Sequence, residues 1–161
     1  NRAQTVAMLI DAYQPEGITR LAVDSIFMMP HLGVLASVNE KAAQDVFDRD
    51  CLVNLGTVVS PVGKGKERSV VLRYEIEGAE SGELLAGELK LLPLPEKTRL
   101  SISPERGFDV GRGPGNEWDG EIFGGEVGLV LDGRGRPIAF SKSLEERHRA
   151  TRSWAASLEL Y

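Results

Sequence analysis

Four glycines within nine residues, accompanied by two arginines and an aspartate, are the part of this sequence best suited to chemistry. Successive backbone amides in a glycine-rich turn can form a concave nest that binds an anion, and arginine side chains add donors for phosphate or carboxylate. The candidate ligand-binding residues are therefore Arg106, Asp109, Gly111, Arg112, Gly113 and Gly115.

The glycine loop lacks both common nucleotide-binding motifs. A P-loop ends in Gly-Lys-Ser/Thr at the start of a helix, but neither a lysine nor a helical pattern follows Gly115. The Rossmann fingerprint has a different glycine spacing and leads into a helix, whereas this loop precedes a strand pattern. The first interpretation of Gly107–Gly115 is thus a β crossover that needs positive φ angles, and anion binding is the alternative.

Cysteine and histidine chemistry is limited by the single cysteine and two histidines. No disulfide can form within the chain, and Cys51, His31 and His148 cannot supply a standard structural zinc site. A nucleophilic Cys51 would need His31 as its base, and the neighbouring Asp48 and Asp50 would raise the pKa of the thiol. We expect a buried structural thiol, and we predict no catalytic residue, metal or cofactor.

Carboxylates near the glycine loop allow a third hypothesis, a small hydrolase. Acid–base catalysis of the glycosidase type would need two carboxylates within about 10 Å of each other. The sequence does not fix those distances, so structural or solvated roles are expected, with Asp132–Arg136 as a turn. The carboxylates concerned are Glu105, Asp109, Glu117, Asp119 and Asp132.

The first third of the chain has a helix–strand–helix pattern. Apolar residues at helical spacing predict a helix that ends before Pro15, and Thr19–Val23 is typical of a buried strand that ends at Asp24, where α/β proteins place functional groups. Further helices are predicted from Pro30 and from an Asn39 cap. The apolar cluster Phe27–Met29 fits either the edge of a core or a partner-binding face.

From Leu55 onward, β-branched runs alternate with turns about every ten residues, a pattern typical of a small β-barrel. Gly63–Lys66 and Gly78–Gly82 are predicted to be connecting turns. The predicted strands are Leu55–Val62, Ser69–Glu77, Glu83–Leu92, Thr98–Ser103, Trp118–Phe123, Glu126–Leu131 and Pro137–Phe140.

A capping box at Ser143–Glu146 predicts a C-terminal helix that lies on the barrel or pairs with a neighbouring chain. The predicted fold class is therefore α+β: an α/β fragment over residues 1–54, a mostly antiparallel β-barrel of six or seven strands over 55–141, and a helix over 142–161. The chain opens on Asn1 in helical phase, so we expect a fragment of a longer protein.

Composition excludes some classes of function. The 161 residues are 42% hydrophobic and 27% charged, as in ordinary globular domains, and the net charge of −5 disfavours sequence-independent nucleic-acid binding. No apolar run approaches the roughly 20 residues of a membrane span. A cytoplasmic location is the default expectation.

Five segments, taken in their order and spacing, resemble the C-terminal region of the glutamate mutase accessory family, often called MutL although it is unrelated to mismatch repair. The resemblance extends from about Thr5 to Phe140. The segments are Gly17–Asp24, Pro30–Ala36, Leu55–Pro61, Arg106–Gly111 and Gly124–Pro137.

The resemblance implies a relationship to the actin, sugar-kinase and Hsp70 ATPases and an association with adenosylcobalamin-dependent mutases. The ATP-binding elements of that superfamily are not recognisable in this chain, so no catalytic residue is carried over. The expected function is a non-catalytic C-terminal module that contacts mutase subunits or the N-terminal part of its own chain, with homo-oligomerisation left open. The alternative is a small-molecule or anion-binding barrel that uses the loop 107–115.

Overall fold

The computed structural model describes residues 1–79 and 81–160, and within them eight strands form two four-stranded sheets accompanied by four α-helices. The helices are α1 (Arg2–Tyr13), α2 (Met29–Ala36), α3 (Glu40–Val46) and α4 (Leu144–Ser157), and a π-helical turn covers Phe47–Cys51. The strands are β1 (Gly17–Asp24), β2 (Leu52–Ser60), β3 (Val70–Ile76), β4 (Ser81–Leu85), β5 (Leu89–Leu92), β6 (Lys97–Pro104), β7 (Trp118–Phe123) and β8 (Gly128–Asp132).

The first sheet has the order β1-β2-β8-β5. Strand β1 pairs with β2 antiparallel along its whole length, from Gly17 opposite Ser60 to Asp24 opposite Leu52. Strand β8 pairs with β2 in parallel and with β5 antiparallel. Strands from both sides of the predicted boundary at residue 54 therefore share one sheet.

Gly56 allows β2 and β8 to approach closely at the centre of that sheet. Its φ is +148°, and a Cβ atom at this position would lie 2.1 Å from the carbonyl oxygen of Gly128. Gly56 and Gly128 are directly opposed in the parallel pair. A side chain of any size at Gly56 would therefore push the two strands apart.

The second sheet is fully antiparallel, with the order β4-β3-β6-β7. The main core lies between the two sheets. Successive side chains of a strand point to opposite faces of its sheet, so every second side chain points into the space between the sheets. The core is built from Val59, Leu72, Tyr74, Ile76, Leu84, Leu100, Ile102, Val110, Ile122, Leu129 and Leu131. The opposite face of the second sheet is polar.

The predicted closed barrel is wrong, because the strands separate into two sheets. The run Glu83–Leu92, predicted as one strand, is divided at Gly87, whose φ is +86°. Strand β4, before this turn, joins the second sheet, and β5, after it, joins the first. The Thr57 hydroxyl nevertheless connects the sheets, donating to the carbonyl of Phe123 at 2.8 Å.

Helices α1 and α4 cover the outer face of the first sheet. Val6 and Ile10 of α1 and Leu158, just after α4, pack with sheet residues in a second core cluster. The Asn1 side chain caps α1, and the Ser143 side chain caps α4 by accepting from the amide of Glu146. The C-terminal helix is therefore present as predicted and lies on a sheet of the same chain.

Helices α2 and α3 form a hairpin with its own small core, made by Leu32, Ala43 and Cys51. The Asn39 side chain caps α3 as predicted, accepting from the amide of Ala42 at 3.0 Å. The hairpin joins the sheet mainly through the π-helical turn that leads into β2. It is thus the least embedded part of the fold.

Pro137–Phe140 is a turn and not a strand, and the amide of Ile138 donates to the Gln14 side chain at 2.8 Å instead of to a neighbouring strand. The predicted turn Gly78–Gly82 includes Glu80, and the predicted C-terminal helix extends to Tyr161; both residues lie outside the described part. None of the helices in the described residues has the length and apolar character of a membrane span.

Candidate functional site

The glycine loop joins β6 to β7 and is anchored to the loop after β2. Asp109 exchanges two backbone hydrogen bonds with Val62, at 2.8 and 2.9 Å. A further bond runs from the Gly115 amide to the Phe108 carbonyl at 2.8 Å. Gly107, Gly111, Gly113 and Gly115 all have positive φ, as predicted, but the loop connects two neighbouring antiparallel strands and is therefore a hairpin loop instead of the predicted crossover.

The loop does form a nest of amides, and the carboxylate of Asp109 lies inside it. One oxygen of Asp109, Oδ1, accepts from the amides of Gly111, Arg112 and Gly113 at 2.6, 2.9 and 2.9 Å. These bonds, first among them the one from Gly111, lower the pKa of Asp109. The chain therefore supplies the anion of its own nest, and an external anion would have to displace this carboxylate.

The two arginines predicted to assist the nest are both exposed. Within the described residues, neither the Arg106 nor the Arg112 side chain forms a hydrogen bond or an ion pair, although the Arg112 carbonyl accepts from Asn116 Nδ2 at 2.8 Å. The structure thus brings Asp109, Gly111, Arg112 and Gly113 together through the backbone. It leaves the guanidinium groups in solvent.

A second charged cluster is buried at the end of β8, in the segment Asp132–Arg136 that is predicted to be a turn. Asp132 is fully buried, and the side chains of Arg134 and Arg136 are 4% and 2% exposed. Arg134 donates to both carboxylate oxygens of Asp132, at 2.9 Å each, and reaches Asp11 of α1 at 2.8 Å. We call Asp132, Arg134 and Arg136 the buried ion cluster.

Arg136 connects this cluster to the segment between α1 and β1. Its guanidinium donates to the Pro15 carbonyl at 2.8 Å, to Ser60 Oγ at 2.5 Å and to Asp132 at 2.9 Å. Burial opposes ionisation of Asp132, but the bonds and charges of the two arginines outweigh it and lower the pKa of this carboxyl. With its donors and acceptors used internally, the cluster is built to hold α1, β1 and β8 together. The alternation Asp-x-Arg-x-Arg at residues 132–136 is the sequence feature from which this ion cluster could have been predicted.

The remaining carboxylates of the hydrolase hypothesis lie on the polar face of the second sheet and in its loops. Asp119 accepts from Arg99 and from Ser101, and the arginine bond is the main reason that its pKa is lowered. Glu105 accepts from Arg73, and Glu117 accepts from Ser103. A shallow depression of about 370 Å³ on this face is lined by Arg73, Tyr74, Glu75, Ser81, Gly82, Glu83, Ser101 and Ser103. Each of these acids thus accepts from an arginine or a serine side chain of the same face, as expected for structural or solvated carboxylates.

Cys51 is buried, and His31 is exposed. Burial, followed by the negative charges of Asp24 and Asp50, raises the pKa of the Cys51 thiol. A raised pKa lowers the thiolate fraction on which nucleophilic attack depends. Cys51 thus has the character of a structural thiol.

The α2–α3 hairpin exposes a set of large apolar side chains, which we call the hairpin surface. Phe27, Val34 and Val38 are 76%, 72% and 87% exposed, and Val34 and Val38 lie about one turn apart. Several exposed large apolar side chains within one short segment are a common feature of interaction sites. The members of the hairpin surface are Ile26, Phe27, Met29, Val34, Leu35 and Val38.

Asp24 shapes the start of this surface. Its carboxylate accepts from the amides of Ile26 and Met29 at 3.2 and 3.0 Å, and the bond from Met29 is the largest cause of its lowered pKa. The predicted functional position at the end of β1 is therefore a turn and cap. It fixes the direction in which Phe27 and α2 leave the sheet.

Comparison of the chain with protein-family models, with curated proteins and with solved structures finds no match.

Proposed function

We propose that this chain is a non-catalytic module that mediates protein contacts through the hairpin surface. The observation that carries the proposal is the exposure of six large apolar side chains between Ile26 and Val38 on a hairpin that has its own core. Burying such side chains against a partner gains roughly 25 cal/mol per Å² of apolar area removed from water. A surface of this kind favours contact with another protein over solvent.

The resemblance to the glutamate mutase accessory family supplies the proposed partners. They are subunits of an adenosylcobalamin-dependent mutase, or the N-terminal part of the same chain in an ATPase-like accessory protein of the cytoplasm. On this proposal the module itself neither hydrolyses nor binds ATP. Titration calorimetry with ATP should give no saturable heat, and saturable binding would contradict a non-catalytic role.

The contact is tested by pull-down and titration with purified mutase subunits. Val34→Asp and Val38→Asp should each weaken capture at least tenfold, because a carboxylate would be desolvated in the interface. Met8→Asp is the matched control, since Met8 is 72% exposed on α1, outside the hairpin surface. Equal loss in all three variants, or no loss in the first two, would refute the hairpin surface as the contact site.

The alternative function is binding of a small anion at the loop 107–115. Its support is the nest geometry together with the exposed Arg106 and Arg112. On this alternative the external anion competes with Asp109 for the same amides. Asp109→Ala removes the carboxylate from the nest and should strengthen anion binding there, whereas it should leave a contact through the hairpin surface unchanged.

A further inference from the structure

Strand β1 is the longest edge strand in the described part of the fold. It has eight residues and ends the order of the first sheet, so the hydrogen-bonding groups on one side of its backbone meet no neighbouring strand among those described. The other edges, β4, β5 and β7, have five, four and six residues. A long edge strand is a ready template for another strand.

Two of the shorter edges carry devices that discourage strand addition, whereas the two charged residues of β1, Arg20 and Asp24, have opposite signs and can pair with each other. Strand β7 carries the acidic side chains Asp119 and Glu121, and β5 is very short, contains Lys90 and is contacted by α4. Strand β1 has no proline or lysine, and the extra residue of its irregular pairing is Leu55, on β2. Natural edges lacking these protections commonly pair with another chain.

The sequence of β1 is self-complementary when two copies run antiparallel. With Ala22 opposite Ala22 of the second copy, Arg20 faces Asp24 and Leu21 faces Val23, in both directions. Directly opposed residues of antiparallel strands lie on the same face, so the two ion pairs form on one face and the two apolar pairs on the other. Leu21 and Val23 are only partly buried against the second core cluster, so apolar area remains for a second copy to cover.

We propose that two copies of this chain associate through β1, in antiparallel register centred on Ala22, to form one continuous sheet about a twofold axis. Antiparallel pairing is the arrangement that a twofold axis produces at a shared edge, and the interface is closed because each β1 is used once. Arg20 uses one of its five N–H groups on Asn54, and Asp24 has acceptor capacity beyond the two amides that it caps. The Arg20 guanidinium also lies over the Phe123 ring at 4.2 Å, so the intermolecular pair would compete with that contact, whereas Asp24 can accept from a second copy and keep the two amides that it caps.

The decisive experiment is a cysteine cross-link in the full chain. Opposed Cα atoms in an antiparallel pair are about 4.5–5.5 Å apart, which matches a disulfide, so Ala22→Cys should give a covalent dimer under mild oxidation. Thr19→Cys is the matched control, because in this register the two sulfur-bearing residues lie about 20 Å apart along the strands. The native Cys51 is 1% exposed and gives a low background.

Sedimentation velocity provides a second test that needs no oxidation. The wild-type chain should shift with concentration toward twice its mass of 17.5 kDa, and Ala22→Lys should stay monomeric because two ammonium groups would be directly opposed. Thr19→Lys should dimerise like wild type, and circular dichroism should show that both variants fold. A monomeric wild type, or a dimer of the Ala22→Cys variant that does not cross-link, would overturn the proposal.

This dimer is independent of the proposed contact with mutase subunits. Adding Val34→Asp to the Ala22→Cys variant should leave its cross-link unchanged, and Ala22→Lys should leave capture of the mutase subunits unchanged. The loss of one interaction therefore does not imply the loss of the other.

Discussion

At the scale of single residues, two aspartates in glycine-flanked turns have different roles. Asp109 fills a nest of amides at the surface, whereas Asp132 balances two arginines in a buried cluster. The sequence context of the two is similar, since each is followed by glycine and arginine within a few positions. Their different environments give three predictions.

The first prediction concerns the nest. Asp109→Ala removes the carboxylate and leaves three amides free to bind an external anion, so the variant should be less stable than wild type and should regain stability in phosphate. The measurement is the thermal midpoint against phosphate at constant ionic strength. An equal phosphate response of wild type and variant is what general exclusion of phosphate from a protein surface produces, and it would contradict anion binding in the emptied nest.

The second prediction concerns the buried ion cluster. Asp132→Asn removes the buried counter-charge of both arginines and leaves Arg134 only its pair with the exposed Asp11, so it should lower the free energy of unfolding by about 3–5 kcal/mol in urea denaturation. Asp11→Asn is the matched control, because Asp11 binds the same Arg134 but its side chain is 61% exposed. The control should lose less than about 1 kcal/mol. Similar losses in both variants would contradict a special role for burial.

The third prediction concerns pH. The pKa of Asp132 is lowered in the folded chain, so its stabilising effect is complete above the unfolded pKa of about 3.9 and is lost as the pH falls through the folded value. The difference in unfolding free energy between wild type and Asp132→Asn should therefore be constant above about pH 5 and shrink below about pH 4. The pKa values of Asp24 and Asp109 are lowered as well, but both residues are present in wild type and variant, so their contributions cancel in the difference. A difference that grows on acidification would show the opposite shift.

At the scale of elements, the contact between β2 and β8 holds the centre of the first sheet. Parallel strands joined through long connections are placed by packing, and here the fit depends on the absence of a side chain at Gly56. Helix α4 is attached to this sheet through Trp154. Its Nε1 donates to the Gly87 carbonyl at 2.8 Å, and its ring lies under the Arg134 guanidinium. The turn that divides β4 from β5 thus also receives the C-terminal helix.

The fourth prediction tests that fit. Gly56→Ala combines a positive φ with overlap against the Gly128 carbonyl and should cost about 3 kcal/mol or more. Gly78→Ala is the matched control, because φ there is +74° but no atom of the described residues lies within 4 Å of where the added methyl group would sit. The control should cost about 1 kcal/mol, from backbone strain alone. Equal costs in chemical denaturation would show that β2 and β8 can separate freely.

At the scale of the whole molecule, the α2–α3 hairpin and the two sheets differ in how they are held. The sheets share a core of eleven buried residues and are covered on one side by helices, whereas the hairpin core has three. Regions with few buried apolar contacts open more readily. A surface that adjusts to a partner is well placed on such an element.

The fifth prediction follows from that difference. In native-state hydrogen exchange, the amides of α2 and α3 should exchange at least a hundredfold faster than those of β2 and β8. Slow alkylation of Cys51 should report the same opening, since the thiol is buried in the hairpin core. Equal protection in the hairpin and the sheets would mean that the chain opens as a single unit.

Several local elements of this protein follow from the sequence alone. Helix starts at Asn39 and Ser143 were predicted from side-chain capping, and the strand Trp118–Phe123 has the predicted bounds, because caps and period-two alternation act between near neighbours. The positive φ angles of the glycine loop and the buried state of Cys51 were predicted on the same local grounds.

The remaining features depend on tertiary packing. Whether the strands close into a barrel or separate into two sheets depends on the direction of the chain after Gly87, and nothing in the alternation of Glu83–Leu92 encodes that direction. The burial of Asp132 with Arg134 and Arg136 depends on α1 folding over β8, more than a hundred residues away in sequence. The filling of the nest is local, because Asp109 accepts from amides only two to four residues ahead of it. The exposure of the hairpin surface depends instead on which groups three-dimensional packing brings into contact, and a local pattern carries no record of that.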